Sequence, residues 1–217
     1  MRRAVLLLAV VALAGCGGKK AIPNQPSTST TDSDGCVAIA KVPNPEKRTA
    51  PKPKTILDPS KTYDVTISTN CGSMTFRLDP RASPHATASF VSLVRRGFFL
   101  RTIFHRIVPG FVIQGGDPTG TGASGPGYTT VDTPAKSTKY PVGTVAMAKA
   151  ASQPPGAAGS QFFVVISQPA QLPPDYAVIG HITKGQDVAE RIGKLGDANT
   201  GAPLRLVVIQ KATVDVH

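Results

Sequence analysis

The chain has no tryptophan, and its aromatic residues number only 8 phenylalanines and 4 tyrosines among 217 residues. Any aromatic pocket must therefore be built from Phe and Tyr. The apolar run Ala4 to Ala14 is too short to span a bilayer as a permanent helix. Lysines and arginines form no run and are not interleaved with aromatics, which argues against a nucleic-acid surface despite a formal charge of +11. His85 and His181 have no Cys, Asp or Glu at ligand spacing, so no metal is expected. Internal repeats are absent. What is abundant is glycine (21) and proline (20), which favours turns and short strands over long helices. The length suits one domain plus extras, with a single core of ordinary size.

The N-terminus reads as a targeting segment. Arg2 and Arg3 form a positive n-region and Ala4 to Ala14 an h-region. Leu13-Ala14-Gly15-Cys16 resembles the bacterial lipobox. That resemblance implies cleavage before Cys16, lipidation of its thiol and an outward-facing place on the cell membrane; the alternative is an ordinary signal peptide with an incidental Cys. Export also argues against nucleic acid, and leaves anionic membrane or wall as the partner of the basic charge. Residues 1–15 are thus read as signal peptide and 16–60 as a tether. Lys19 to Asp34 is polar and low in complexity, and cannot bury apolar area. Val37 to Ser60, rich in Pro and Lys, should be extended, with local order only near Cys36. Cys36 and Cys71 form an even pair suited to a disulfide in an oxidising compartment. Two unpaired buried thiols are the alternative.

Residues 61–217 carry the globular domain. Val65, Ile67 and Thr69 alternate with polar residues, Asn70-Cys71-Gly72-Ser73 turns the chain, and Met74, Phe76 and Leu78 return as a second strand. Ser83-Pro84 opens a helix with a Ser cap, and Gly97 ends it. Strands are expected over Ile103–Ile107, Phe111–Gln114, Thr144–Met147, Phe162–Ile166, Ala177–Ile182 and Leu206–Ala212, and a helix over Gly185–Leu195. Gly115 to Val142 reads as loop. Many short strands and two helices suggest a mainly β fold, a closed β-barrel capped at its ends.

Four segments carry the chemistry: Phe104–Asp117 (FHRIVPGFVIQGGD), Gly143–Lys149 (GTVAMAK), Gly159–Val164 (GSQFFV) and Leu172–Gly180 (LPPDYAVIG). In order and spacing they resemble the cyclophilins over about Tyr63 to Val214. The resemblance implies an eight-stranded antiparallel barrel with two helices and peptidyl-prolyl isomerase activity without a cofactor. It assigns the catalytic role to Arg106 and the proline pocket to Phe111, Val112, Phe163 and Leu172. Gln114 takes the position that contacts the substrate backbone and helps orient the Arg; Ala148, Lys149 and Gln161 line the neighbouring groove. Tyr176 stands at a pocket His position, Lys149 at an Asn position, and Gln171 where cyclosporin-sensitive members carry Trp, so weak cyclosporin sensitivity is expected.

The residues also support this independently. Phe104, Arg106 and Val108 should share one strand face, and an Arg between Ile103, Phe104, Ile107 and Val108 is odd without a specific partner. A structural Arg paired to a carboxylate is the alternative, and Phe111 and Phe163 could be plain core. His105 is read as structural, opposite to Arg106. Gly120–Gly125 formally matches a dinucleotide fingerprint, but Pro126-Gly127 prevents a helix from starting there. Ser160 lacks a nucleophile-elbow context. The expected protein is a monomeric isomerase acting on proline-containing polypeptides; the competing readings are a proline-peptide binding module or chaperone with little catalysis, and a purely structural surface lipoprotein.

Overall fold

The computed structural model describes residues 31–39, 45–167 and 171–217. The expected cleavage and lipidation sites, up to and including Cys16, lie outside these residues. Ten strands and two helices follow in the order β1 (Tyr63–Thr69), β2 (Gly72–Leu78), α1 (Pro84–Arg95), β3 (Ile103–Val108), β4 (Val112–Asp117), β5 (Thr130–Val131), β6 (Thr144–Met147), β7 (Ala157–Ala158), β8 (Phe162–Val165), β9 (Val178–Lys184), α2 (Gln186–Gly193) and β10 (Ile209–Val216). Eight strands form one antiparallel sheet in the order β10-β1-β2-β9-β6-β8-β4-β3, and β5 pairs with β7 in a short ribbon. The strict alternation of buried and half-buried residues along β1 follows from its period-2 sequence.

The expected closed barrel is corrected to a half-barrel. Its edges, β3 and β10, are joined only by a short run of contacts at their ends: Arg101 N–H donates to Ile209 O and Ile209 N–H to Thr102 O, both at 2.8 Å, Ile103 bridges Val208, and Phe104 N–H donates to the Val207 carbonyl at 3.0 Å. Farther along β3 the facing chain is the irregular Gly196–Leu206 stretch. There Ile107 N–H reaches Gly201 O, but the stretch otherwise pairs with itself: Gly196 bridges Pro203, Asp197 N–H donates to Ala202 O and Leu204 N–H to Leu195 O, both at 2.8 Å. The last strand therefore starts at Ile209, three residues beyond the expected position.

The concave face carries the core. Phe162 is its hub: Phe76, Phe90, Phe99 and Phe104 stand against it at centroid distances of 5.3 to 6.0 Å, with interplanar angles of 66° to 84°. Helix α1 starts where expected, but the Ser83 side chain does not cap it. The Asp132 carboxylate, just after β5, does so, accepting from Ala86 N–H at 2.6 Å and pairing with His85 Nδ1 at 2.7 Å.

The segment preceding β1 differs from a free tether. Cys36 is joined to Cys71 by a disulfide, both residues being buried. Residues 45–60 run without helix or strand, yet Ala50 and Leu57 pack on the core. Ala50 N–H donates to Pro126 O at 3.0 Å. The many prolines explain extension; the apolar Ala50 and Leu57 explain docking.

Candidate active site

One row of cross-strand partners builds the site. Arg106 on β3 opposes Gln114 on β4, Gln114 opposes Phe163 on β8, and Phe163 opposes Ala146 on β6. Partners directly opposite in antiparallel strands point to the same face. Val112, Ala146, Phe163 and Val165 accordingly form a small apolar cluster outside the main core, with Phe111, Ala148, Leu172 and Tyr176 packed on it. The adjacent residues Phe162 and Phe163 thus divide between core and site, as alternation along a strand requires.

Strand β3 departs from that alternation. A bulge spans His105, because Phe104 opposes Gly115 while Arg106 opposes Gln114. Phe104 turns into the core and Arg106 turns out. The expected shared face of Phe104 and Arg106 is therefore corrected: Arg106 shares the outer face with Val108 alone. His105, the extra residue, is half-buried beside Gly122. Burial pushes its imidazole below the usual histidine range, with Asp117 and Gln161 only partly offsetting it.

The row opens into a cleft of about 250 Å³ lined by Arg106, Phe111, Val112, Gln114, Ala148, Lys149, Phe163, Leu172 and Tyr176. Nine of the ten residues expected at the site thus converge here. The volume falls below the roughly 300–1,000 Å³ of pockets for drug-sized ligands and suits a single ring-sized group. Phe163 forms the floor, and Tyr176 stands edge-on to it at 5.3 Å and 90°. The tenth, Gln161, lines an adjoining cleft of about 410 Å³, bounded by Gly122–Thr129 and sharing Gln114, Ala148 and Lys149 with the first.

Two cations border the first cleft, and they are not equivalent. The Lys149 side chain is 7% exposed and faces Asp175 at 3.9 Å. It also donates to Gln153 O at 3.1 Å and lies 5.9 Å from the Tyr176 ring centroid. Arg106 is exposed at the rim, and among the described residues it has no carboxylate within ion-pair distance. Its stem runs beside Gly201. Gln114 stands directly opposite Arg106 without a hydrogen bond between the two side chains. The Gln114 amide instead donates to Gln161 Oε1 at 3.1 Å, and Gln161 donates to Gly122 O and Ser124 O.

Sequence reasoning missed Tyr140. Its hydroxyl donates to Tyr176 O and accepts from Tyr176 N–H, both at 3.0 Å. Burial raises the phenol above its usual range and keeps it protonated, able to donate. A tyrosine between Lys139 and Pro141 in an otherwise polar loop was the available signal. No group of three or more His, Cys, Asp or Glu among the described residues is arranged to hold a metal ion.

Comparison with known proteins places this site in a context. The family model described as cyclophilin type peptidyl-prolyl cis-trans isomerase/CLD matches residues 64–214. A peptidyl-prolyl cis-trans isomerase of Arabidopsis thaliana is 35% identical over 155 residues, covering 70% of this chain and 93% of the relative. One from Helicobacter pylori is 35% identical over 156 residues, or 65% of this chain and 93% of its own. A Cryptosporidium parvum cyclophilin-type isomerase, solved in the presence of the dipeptide Ala-Pro, superposes with a TM-score of 0.63 at 32% identity, over 70% of this chain and 98% of that one.

Proposed function

The chain belongs to the cyclophilin-type peptidyl-prolyl cis-trans isomerases, and from that premise we propose that it rotates X-Pro bonds in exported polypeptides, with Arg106 stabilising the twisted amide. Rotation is opposed by amide resonance, a barrier of ~18–20 kcal/mol, and uncatalysed X-Pro exchange takes tens of seconds or more. At the twisted geometry conjugation is lost and the prolyl nitrogen gains lone-pair character. A guanidinium N–H aimed at that nitrogen binds the twisted state better than either planar one. No proton is transferred, so the donor must stay charged and keep a fixed geometry, as Arg does. The apolar cup of Phe111, Val112, Phe163 and Leu172 holds the pyrrolidine ring while the preceding carbonyl swings.

The observation that carries this reading is the cross-strand row itself. It sets a cation that has no carboxylate partner among the described residues at the rim of an apolar, ring-sized cleft. The Ala-Pro present with the Cryptosporidium relative supports a proline peptide as ligand. Gln114 and Gln161, tied to the loop at Gly122 and Ser124, offer amide groups to the substrate backbone. Cys16 carries a lipid that holds the enzyme at the outer face of a membrane, and the buried Cys36–Cys71 disulfide supports an oxidising location. A proline-peptide isomerisation assay tests the catalytic assignment: Arg106→Ala should lower kcat/KM by about 10²–10³, the scale of one transition-state donor. Equal activity in the two proteins refutes it, and peptide binding by an inert wild type would favour a binding module. Loss of membrane association in Cys16→Ser tests the location.

A further inference from the structure

The loop between β4 and β5 forms the wall of the second cleft, and it has little structure of its own. Residues 118–129 contain no strand or helix, and Gly120, Gly122 and Gly127 sit at positive φ. Such a segment keeps one shape only if it is held from outside. The Asp117 carboxylate holds its first half, accepting from Thr119 N–H at 2.7 Å, Thr119 Oγ1 at 2.8 Å and Ser124 N–H at 3.2 Å.

Its second half is held by Ser89, whose hydroxyl meets Tyr128 OH at 2.9 Å, and by residues from outside the family-matched stretch. Ala50 N–H donates to Pro126 O at 3.0 Å, and Lys52 Nζ donates to Thr129 O at 2.9 Å. Thr49 lies against Gly127, where a side chain would meet its methyl at 3.4 Å. Glu46 N–H reaches Pro118 O at 3.3 Å, so the strap touches the start, middle and end of the loop. The strap is itself anchored: Arg48 Nη1 donates to Phe98 O at 2.6 Å and Leu100 O at 2.7 Å, and Ala50 packs on the core.

We propose that residues 46–52 act as a positioning strap that fixes the second cleft, and so set which peptide residues flanking the proline the enzyme accepts. The inference rests on the isomerase reading of the first cleft. The two clefts share Gln114, Ala148 and Lys149, so a peptide whose proline fills the first extends over the second. The lining of the second is mostly small or uncharged polar (glycine, alanine, serine, threonine and glutamine, with Pro126 and Tyr128), and its one cation among the described residues, Lys149, is engaged with Gln153 O and Asp175. The cleft therefore favours a small, uncharged polar residue beside the proline.

The test compares the full chain with Arg48→Met and Ala50→Pro on two substrates. One is a short Ala-Pro peptide confined to the first cleft; the other is a longer peptide carrying Ser and Gln around the same Ala-Pro. Either variant should lower kcat/KM for the long peptide about fivefold, the weight of one hydrogen bond, through KM. The short peptide should be turned over at the wild-type rate. Amides of residues 119–129 should exchange faster with solvent, and Arg48→Lys, which can still donate to both carbonyls, should restore the ratio. An unchanged long-to-short ratio, or an equal fall for both substrates, overturns the proposal even if one variant is unstable, since the ratio is internal to each protein. An inert wild type on the short peptide instead overturns the isomerase reading, and leaves the strap to be judged on the exchange rates and on long-peptide affinity.

Discussion

Removing a single oxygen, in Tyr140→Phe, separates the seat of the pocket wall from the chemistry. The ring is 3% exposed and stands at 6.2 Å and 78° to Tyr176, so Phe fills the same space. What is lost is the pair of 3.0 Å hydrogen bonds to the N–H and C=O of Tyr176. Leaving such groups unpaired in a half-buried wall costs about 1–3 kcal/mol, which for a domain of this size lowers Tm by roughly 2–4 °C per kcal/mol. Freed from its clamp, the Tyr176 backbone drifts and its ring leaves the edge-on contact with Phe163. The proline cup widens, while Arg106 and Gln114, on β3 and β4, keep their places. KM for a proline peptide should therefore rise about three- to tenfold, the equivalent of roughly 1 kcal/mol, with kcat within about twofold of wild type. Thermal melting and steady-state kinetics on the same samples decide it. A lowered Tm with unchanged KM would reduce Tyr140 to a packing residue, and a fall in kcat at constant KM would refute the division of labour.

Other consequences follow from the same contacts. The Cys36–Cys71 bond spans 35 residues of sequence, so the Cys36→Ser/Cys71→Ser protein should lose about 3–4 kcal/mol and melt roughly 6–16 °C lower; an unchanged melting curve argues against the bond's contribution. His105 is held below its ordinary value of 6.5 in the fold, so the unfolded chain binds the extra proton first. Stability from this residue is complete above about pH 6.5 and declines as pH falls through that value toward the folded one. Denaturant midpoints at pH 7.5 and 5.5 should differ in that sense, and less so in His105→Gln. Gln171 is exposed and outside the lining of the first cleft, so cyclosporin should inhibit weakly; a low-micromolar or tighter inhibition constant contradicts this.

The sequence disclosed the fold where period and punctuation agree. The β1–β2 hairpin reads directly from alternating Val65, Ile67, Met74 and Phe76 around Asn70-Cys71-Gly72. Helix α1 reads from Ser83-Pro84 and Gly97, but its cap at Asp132 is 46 residues away from Ala86 and has no local signature. The open edge was not legible, since it depends on how the Gly196–Leu206 stretch lies against β3. The same applies to the bulge at His105: alternation alone places Phe104 beside Arg106, and only the register against Gly115 and Gln114 separates them. The site residues were named through motif resemblance, whereas Tyr140 and the strap over residues 46–52 act through main-chain contacts that composition does not encode.

The central claim is that Arg106 favours the twisted amide over both planar isomers, and that is a statement about kcat and not about affinity. The direct test is to measure, by NMR exchange on one proline peptide, both the cis–trans interconversion rate on the enzyme and the Kd, for wild type and Arg106→Ala. The bound-state rate should fall about 10²–10³-fold while Kd moves by less than about threefold. A Kd that weakens in step with lost turnover, at an unchanged bound-state rate, would show that Arg106 only holds the peptide.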